Sequence, residues 1–364
     1  MPIVVISLDG IKDIEIEKMA ADAVRYPNIA AFFGAARYTG GVRTTFVSNT
    51  YPIHTAVGTR ELSRDNGVIS NILKTTEGGD VWAQEASLIK RPTLFDLAAQ
   101  KGLKVAALAW PVTCGANINR NLPEVHPLKG QNRLWQHMRH GSAFFQLSAF
   151  LKHGKKLDGL KQPQLDDFLT SIAVDLLNRK RRPDMLFLHI LAYDFICHDV
   201  GICDALDVAR ASVDASLGRI LRAAGDDATV IVFSDHGHLN VHTTVNLQAE
   251  YGDRLFEQCG GSAFFTHDAE GVEDKPWFER FLTEHEMDVS GYAARAKYGI
   301  AAKVGFCFGT RQYAGNHGYP VDYDCYNVFY AIKGAKNAPP QIKFNDIRDV
   351  GELIAHEMEA FNLK

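Results

Sequence analysis

Three short segments concentrate the polar chemistry of this 364-residue chain. Asp194-Phe195-Ile196-Cys197-His198 sets a carboxylate and an imidazole four residues apart, which on a helix puts both on one face. Asp235-His236-Gly237 joins two ligand types to a glycine that lets the backbone turn beside a bound group. Asn316-His317-Gly318-Tyr319 adds another imidazole beside glycine. With Asp9, these segments offer six hard or borderline ligands: Asp9, Asp194, His198, Asp235, His236 and His317. That set suffices for two divalent cations with open positions, and such a pair suits phosphoryl chemistry. Taken singly, each segment reads more readily as a helix cap or a solvated polar pair. Their joint occurrence, each in a loop or just after an apolar run, is what points to a metal centre.

Thr50, in Val47-Ser48-Asn49-Thr50-Tyr51-Pro52-Ile53-His54, is the candidate nucleophile. A free threonine hydroxyl is a poor nucleophile near neutral pH, and coordination to a divalent cation lowers its pKa. The plainer reading makes Thr50 the cap of a helix opening at Tyr51-Pro52. The two readings are compatible, because a helix N-terminus also offers N–H groups to a phosphoryl oxygen.

Positioning these side chains requires strands that end where they begin. Residues 3–8 read as a buried strand leading to Asp9, 105–110 as a second, 185–191 as a third and 229–233 as a fourth. Helical patterns separate them: 92–100 ended by Gly102, 164–179 with Leu165, Phe168, Leu169, Ile172, Ala173 and Leu176 on one face, and 208–221. Alternating strands and helices with near-continuous apolar strands predict an α/β, doubly wound, mostly parallel central sheet with helices on both faces. In such sheets ligands bind beyond the carboxyl ends of the strands, where Asp9, Asp194 and Asp235 fall. The chain reads as a single domain over 1–364, with a helical excursion at about 126–163 and a lid insertion at about 245–312.

Composition narrows the classes. Hydrophobic residues make up 46% and charged residues 23%, as in ordinary globular proteins, and supply a sizeable core. A net charge of -4 gives no electrostatic reason to expect a nucleic-acid polymer or an anionic membrane as partner. No apolar run is long enough for a spanning helix, and the Ile3–Leu8 run is too short for a secretory signal. The six cysteines (Cys114, Cys197, Cys203, Cys259, Cys307, Cys325) form no CxxC pair and read as free thiols, so a cytoplasmic location is expected.

The ordered set Leu8-Asp9-Gly10, Thr50-Tyr51-Pro52, Asp194-x-x-x-His198-x-x-Gly201, Ser234-Asp235-His236-Gly237 and Asn316-His317-Gly318-Tyr319 resembles the alkaline phosphatase superfamily, most closely its type I phosphodiesterase/nucleotide pyrophosphatase family. Gly67-Val68-Ile69-Ser70-Asn71 is similar to the family stretch that ends in a phosphate-binding asparagine. The resemblance implies one cation held by Asp9, Thr50, Asp235 and His236, and a second held by Asp194, His198 and His317. Asn71 and the backbone N–H of Thr50 would bind a non-bridging phosphoryl oxygen. Tyr51 falls where relatives place an aromatic that stacks on a nucleobase, with packing beneath the lid as the alternative role. Two departures bear on nucleotide selectivity: Leu191-Ala192-Tyr193 replaces an acidic pair, and His189 stands where a substrate-facing aromatic is common. His54, His238 and His242 read as histidines that face solvent or support the site from behind.

The function implied is a two-metal phosphoester hydrolase acting through a phosphothreonine intermediate, with zinc expected and manganese as the alternative. Its substrate would be a small phosphoester, with a nucleotide among the candidates. A phosphonate hydrolase and a phosphomonoesterase could use the same residues, and a non-catalytic metal or phosphometabolite binder is the rival from another class. A sulfatase is excluded, because the nucleophile block lacks Cys/Ser-x-Pro-x-Arg.

Overall fold

Strand β1, Ile3–Leu8, is buried along its whole length and sits at the centre of a seven-stranded sheet. Its side chains alternate between two cores, with Val4, Ile6 and Leu8 in one and Ile3 and Val5 in the other. This is why an almost wholly apolar run, broken only by the buried Ser7, is needed there. The other strands are β2 (Arg37–Val42), β3 (Val105–Leu108), β4 (Arg120–Leu122), β5 (Met185–Ile190), β6 (Thr229–Phe233) and β7 (Val328–Lys333), in the spatial order β2-β7-β6-β1-β5-β3-β4. Only β7 pairs antiparallel with its neighbours; all other pairings are parallel. The computed structural model describes residues 2–74, 79–128, 130–252, 256–258, 261–323 and 326–363.

Helices cover both faces, as the alternating pattern predicts. The first core is lined by α1 (Pro27–Ala35), α4 (Gln164–Leu177) and α6 (Asp207–Ala224). The second is lined by α2 (Thr50–Thr59), α3 (Leu94–Gln100) and α7 (Arg348–Glu359). The third element bearing site residues is α5, Ala192–Val200. Boundaries differ from the sequence reading where local turns intervene. Helix α3 begins at Leu94 because Thr93 and Asp96 form a capping box, and β3 stops at Leu108 because Ala109 takes a left-handed φ of 50°.

The stretch 245–312 contains a four-stranded antiparallel sheet, Phe256–Gln258, Ala263–Thr266, Tyr298–Ala302 and Phe278–Phe281 in spatial order. Its own core stacks Phe265 on Tyr292 at 3.6 Å and also takes in Phe46, Val47 and Ile69, which flank the Thr50 region. The stretch 126–163 holds the helices Arg133–His140 and Ala143–His153. Among the described residues no helix is long and apolar enough to cross a membrane.

Candidate metal centre

The three carboxylates arrive from three adjacent strands. In register, Leu8 of β1 stands beside Ile190 of β5, and Ser7 beside Phe233 of β6. The chain leaves the three strands within one residue of a common level. Asp9 follows β1 directly, its N–H bonded to Ile190 O at 3.0 Å, and Asp235 stands just past β6. Asp194 lies in the first turn of α5, which opens two residues after β5 ends.

Helix α5 is set by a residue far from it in sequence. The two carboxylate oxygens of Asp166, on α4, accept from Leu191 N at 3.1 Å and Ala192 N at 2.8 Å. They satisfy orphan donors at the helix start. Burial raises the Asp166 pKa to about 6, against the opposing pull of these two N–H bonds. Replacing Asp166 by Ala should cost about 1–3 kcal/mol for each donor left unpaired. It should also weaken cation binding at Asp194 and His198. Denaturant midpoints and a metal-competition titration read the two effects separately, and unchanged values for both would contradict the capping role.

Two clusters meet across stacked rings. In the first, His236 Nε2 lies 3.4 Å from Asp9 Oδ1, 3.4 Å from Asp235 Oδ2 and 3.2 Å from Thr50 Oγ1. In the second, Asp194 Oδ2 is 3.6 Å from His198 Nε2, and Asp194 Oδ1 is 3.8 Å from His317 Nε2. The rings of His236 and His317 stack at 4.0 Å and join the clusters. All seven metal-ligand candidates of the sequence reading are thus within one site.

The donor set fits cations. Asp9 Oδ1 and Asp235 Oδ2 are buried without a hydrogen-bond partner, while Gly10 N donates to the other Asp235 oxygen at 3.2 Å. An uncompensated buried carboxylate oxygen is costly and asks for positive charge. Burial, then the charges of Asp194 and Asp235, push Asp9 well above the usual carboxylate range. Burial lowers the His198 pKa to about 4 and holds His317 well below its usual value, so both rings are neutral at pH 7 and their lone pairs are available.

Thr50 is the first residue of α2, so the position before the helix belongs to Asn49, whose backbone is extended. This corrects the expectation that Thr50 caps the helix. Asn49 instead uses Oδ1 to accept from His317 Nδ1 at 3.0 Å. Asn71 Oδ1 accepts from Tyr51 N at 2.8 Å, so the amide NH2 is its remaining donor end.

Tyr51 does not fit the expected stacking role. It is 1% exposed and packs with Val68, Ala83 and Val112, with its ring centroid 5.5 Å from Trp82. The part-exposed aromatic pair beside it is Trp82 stacked on His126 at 3.9 Å, which sequence reasoning missed. His189 is also fully buried and faces no substrate; its Nε2 lies 3.2 Å from Asp9 Oδ2. His54 supports Thr50 from behind, its Nδ1 2.8 Å from Thr50 O and its Nε2 3.0 Å from Ser7 Oγ. His242 lies outside the site, bonded to Thr243 Oγ1 at 3.0 Å.

Of the two roles the sequence left open for His238, facing solvent or supporting the site from behind, the structure excludes the first. His238 is fully buried, belongs to the Asp194 cluster, and its Nε2 is 2.5 Å from Asp194 Oδ1. Burial disfavours charge on this ring, but Cys197 and Asp194 outweigh it and raise its pKa to about 10. Cys114, Cys197, Cys203 and Cys307 are free thiols, as expected; Cys259 and Cys325 lie outside the described residues.

The chain is similar in structure to murine ectonucleotide pyrophosphatase/phosphodiesterase 5, with 15% identity, TM-score 0.67, and 99% of this chain and 95% of that one covered. An inactive variant of that murine protein in complex with AMP gives 14% identity and TM-score 0.68, covering 99% and 95%. Phosphonoacetate hydrolase from Sinorhizobium meliloti 1021, in complex with phosphonoacetate, gives 15% identity and TM-score 0.70, covering 98% and 96%. At such identities the likeness speaks for the fold, which is alkaline phosphatase-like. No curated protein matches the chain. The family described as type I phosphodiesterase/nucleotide pyrophosphatase matches residues 3–297, most of the chain, and the protein therefore belongs to that family of hydrolases acting on phosphoester and phosphoanhydride bonds.

Proposed function

We propose that this enzyme cleaves phosphodiester or pyrophosphate bonds of small phosphorylated molecules through a phosphothreonine intermediate on Thr50. The carrying observation is the convergence of Thr50 Oγ1 and two unpaired carboxylate oxygens, those of Asp9 and Asp235, on His236 Nε2. Asp9, Thr50, Asp235 and His236 would hold one cation, and Asp194, His198 and His317 the other. Zinc suits this mixed imidazole–carboxylate set, with manganese the alternative. Bound there, divalent cations would lower the pKa of the threonine hydroxyl and of water, and would neutralise charge on the departing oxygen.

The chain's own residues carry the remaining steps. Thr50 gives up its hydroxyl proton to solvent and Oγ1 forms a bond to phosphorus, while the bond to the leaving oxygen breaks and that oxygen departs with the electron pair. Helix α2 fixes the direction of attack, and His54 holds the Thr50 carbonyl behind it. The Asn71 amide donates to a non-bridging oxygen where charge builds up, a contact worth about 3 kcal/mol by comparison with other single donors of this kind. In the second displacement water attacks phosphorus and loses a proton, the bond to Oγ1 breaks, and Oγ1 takes up a proton, which restores the hydroxyl. The Trp82–His126 pair, rather than Tyr51, would offer the face for a base or similar planar group, such as the base of an AMP-like substrate.

The substrate needs neither a nucleic-acid polymer nor a membrane. The free thiols favour a cytoplasmic setting. We read the chain as one domain whose excursion and lid, at about 126–163 and 245–312, shape the substrate.

Metal-loaded protein should release p-nitrophenol from bis-p-nitrophenyl phosphate well above its rate on the monoester, and no phosphate from phosphonoacetate. Phosphate from phosphonoacetate with an inert diester makes it a C–P hydrolase instead. A monoester preference makes it a phosphomonoesterase, and inertness towards all three makes it a binder.

A further inference from the structure

The third imidazole of the Asp194 cluster is oriented unlike the other two. His198 and His317 each direct Nδ1 at a fixed oxygen, Gly315 O and Asn49 Oδ1, both at 3.0 Å. The proton therefore sits on Nδ1 and the Nε2 lone pair is left for a cation. His238 is turned the other way. Its Nδ1 has no oxygen or nitrogen partner among the described residues, and its Nε2 lies 2.5 Å from Asp194 Oδ1.

Distance separates a ligand from a hydrogen-bond donor. Two donor atoms on one tetrahedral cation, with bonds of about 2.0–2.1 Å, stand about 3.3 Å apart. The Asp9–His236 and Asp235–His236 separations of 3.4 Å fit such an edge, as does 3.6 Å for Asp194–His198. The His238–Asp194 separation is far inside it and is that of a short hydrogen bond. The fold also makes room for this ring. Gly10 has a φ of 76°, and a Cβ there would meet His238 Cδ2 at 2.8 Å.

We propose that His238 is a positioning residue and not a metal ligand: its Nε2–H clamps Oδ1 of Asp194 and leaves Oδ2 facing His198. This rests on the two-cation reading above and deepens it. With Asp194, His198 and His317 alone, the second site has three protein ligands and keeps an open position, as catalytic sites do. With His238 as a fourth ligand it would close.

The test loads the whole protein with a spin-half cadmium isotope and records proton–cadmium correlations from the histidine rings. Correlations should come from His198, His236 and His317 and none from His238; a correlation from His238 overturns the proposal. Affinity gives a second readout. His238→Gln, whose amide can reach Asp194, should bind the second equivalent within about threefold of the parent, whereas His238→Ala should lose about 10- to 100-fold, as loss of such outer partners does. Equal losses in two folded variants, judged by circular dichroism, also overturn it. If the two-cation reading itself is wrong, His198 and His317 give no correlation and no second equivalent binds, which removes reading and proposal together by a different result.

Discussion

Thr50→Ala should lower turnover by about 10^4- to 10^6-fold, the range seen when an enzyme loses its nucleophile, and still bind metal. The substitution removes one oxygen from a cluster that retains Asp9, Asp235 and His236, all buried and within 3.4 Å contacts of one another through His236 Nε2. It leaves α2 intact, because Thr50 is already inside the helix and its carbonyl, not its hydroxyl, engages His54. Thr50→Ser keeps a hydroxyl and should keep a measurable share of turnover. Steady-state release of p-nitrophenol, paired with metal analysis of both proteins, makes the check. An active, metal-loaded Thr50→Ala enzyme would remove Thr50 from the mechanism.

Stripping the divalent cations should abolish turnover and also destabilise the fold. Asp9 and Asp235 are fully or nearly buried, Asp194 is close behind, and each loses its compensating charge. Burial and mutual repulsion already push Asp9 towards its neutral form, which is the cost that a bound cation relieves. A cation present at a thousand times its Kd stabilises the folded state by about 4 kcal/mol per site. Chelator-treated protein should therefore unfold at a clearly lower temperature, and added zinc should restore both melting point and activity. Identical melting curves before and after verified metal removal would contradict the cation sites.

Much of this was legible in the sequence because parallel strands advertise themselves. Ile3–Leu8 and Thr229–Phe233 are near-continuous apolar runs, and the polar residues just beyond each lie where such sheets bind ligands. What escaped reading was held by long-range contacts without a local signature. Asp166 caps a helix that begins more than twenty residues later, and nothing near Asp166 marks that use. For His238 the sequence offered a solvent-facing or a supporting role, and only the fold, which brings Asp194 from 44 positions earlier against it, decides between them. The family resemblance left Tyr51 either a stacking or a packing role, and only the fold, which packs it with Val68, Ala83 and Val112, shows its ring enclosed. The sheet at 256–302 is built of strands of three to five residues with a register shift near Phe278, too short and irregular for a period to show.

The nearly level ends of β6, β1 and β5 make the sheet a ruler for the chemistry above it. Neighbouring strands are about 4.8 Å apart, so carboxylates rooted on adjacent ones inherit that pitch. Loops can be recut for new substrates without disturbing this gauge. A one-residue insertion in β1, by contrast, would slide Asp9 about 3.3 Å along the ladder and flip it to the opposite face. Substrate choice in this architecture is therefore free to drift, while the geometry of the reacting centre is locked to the core.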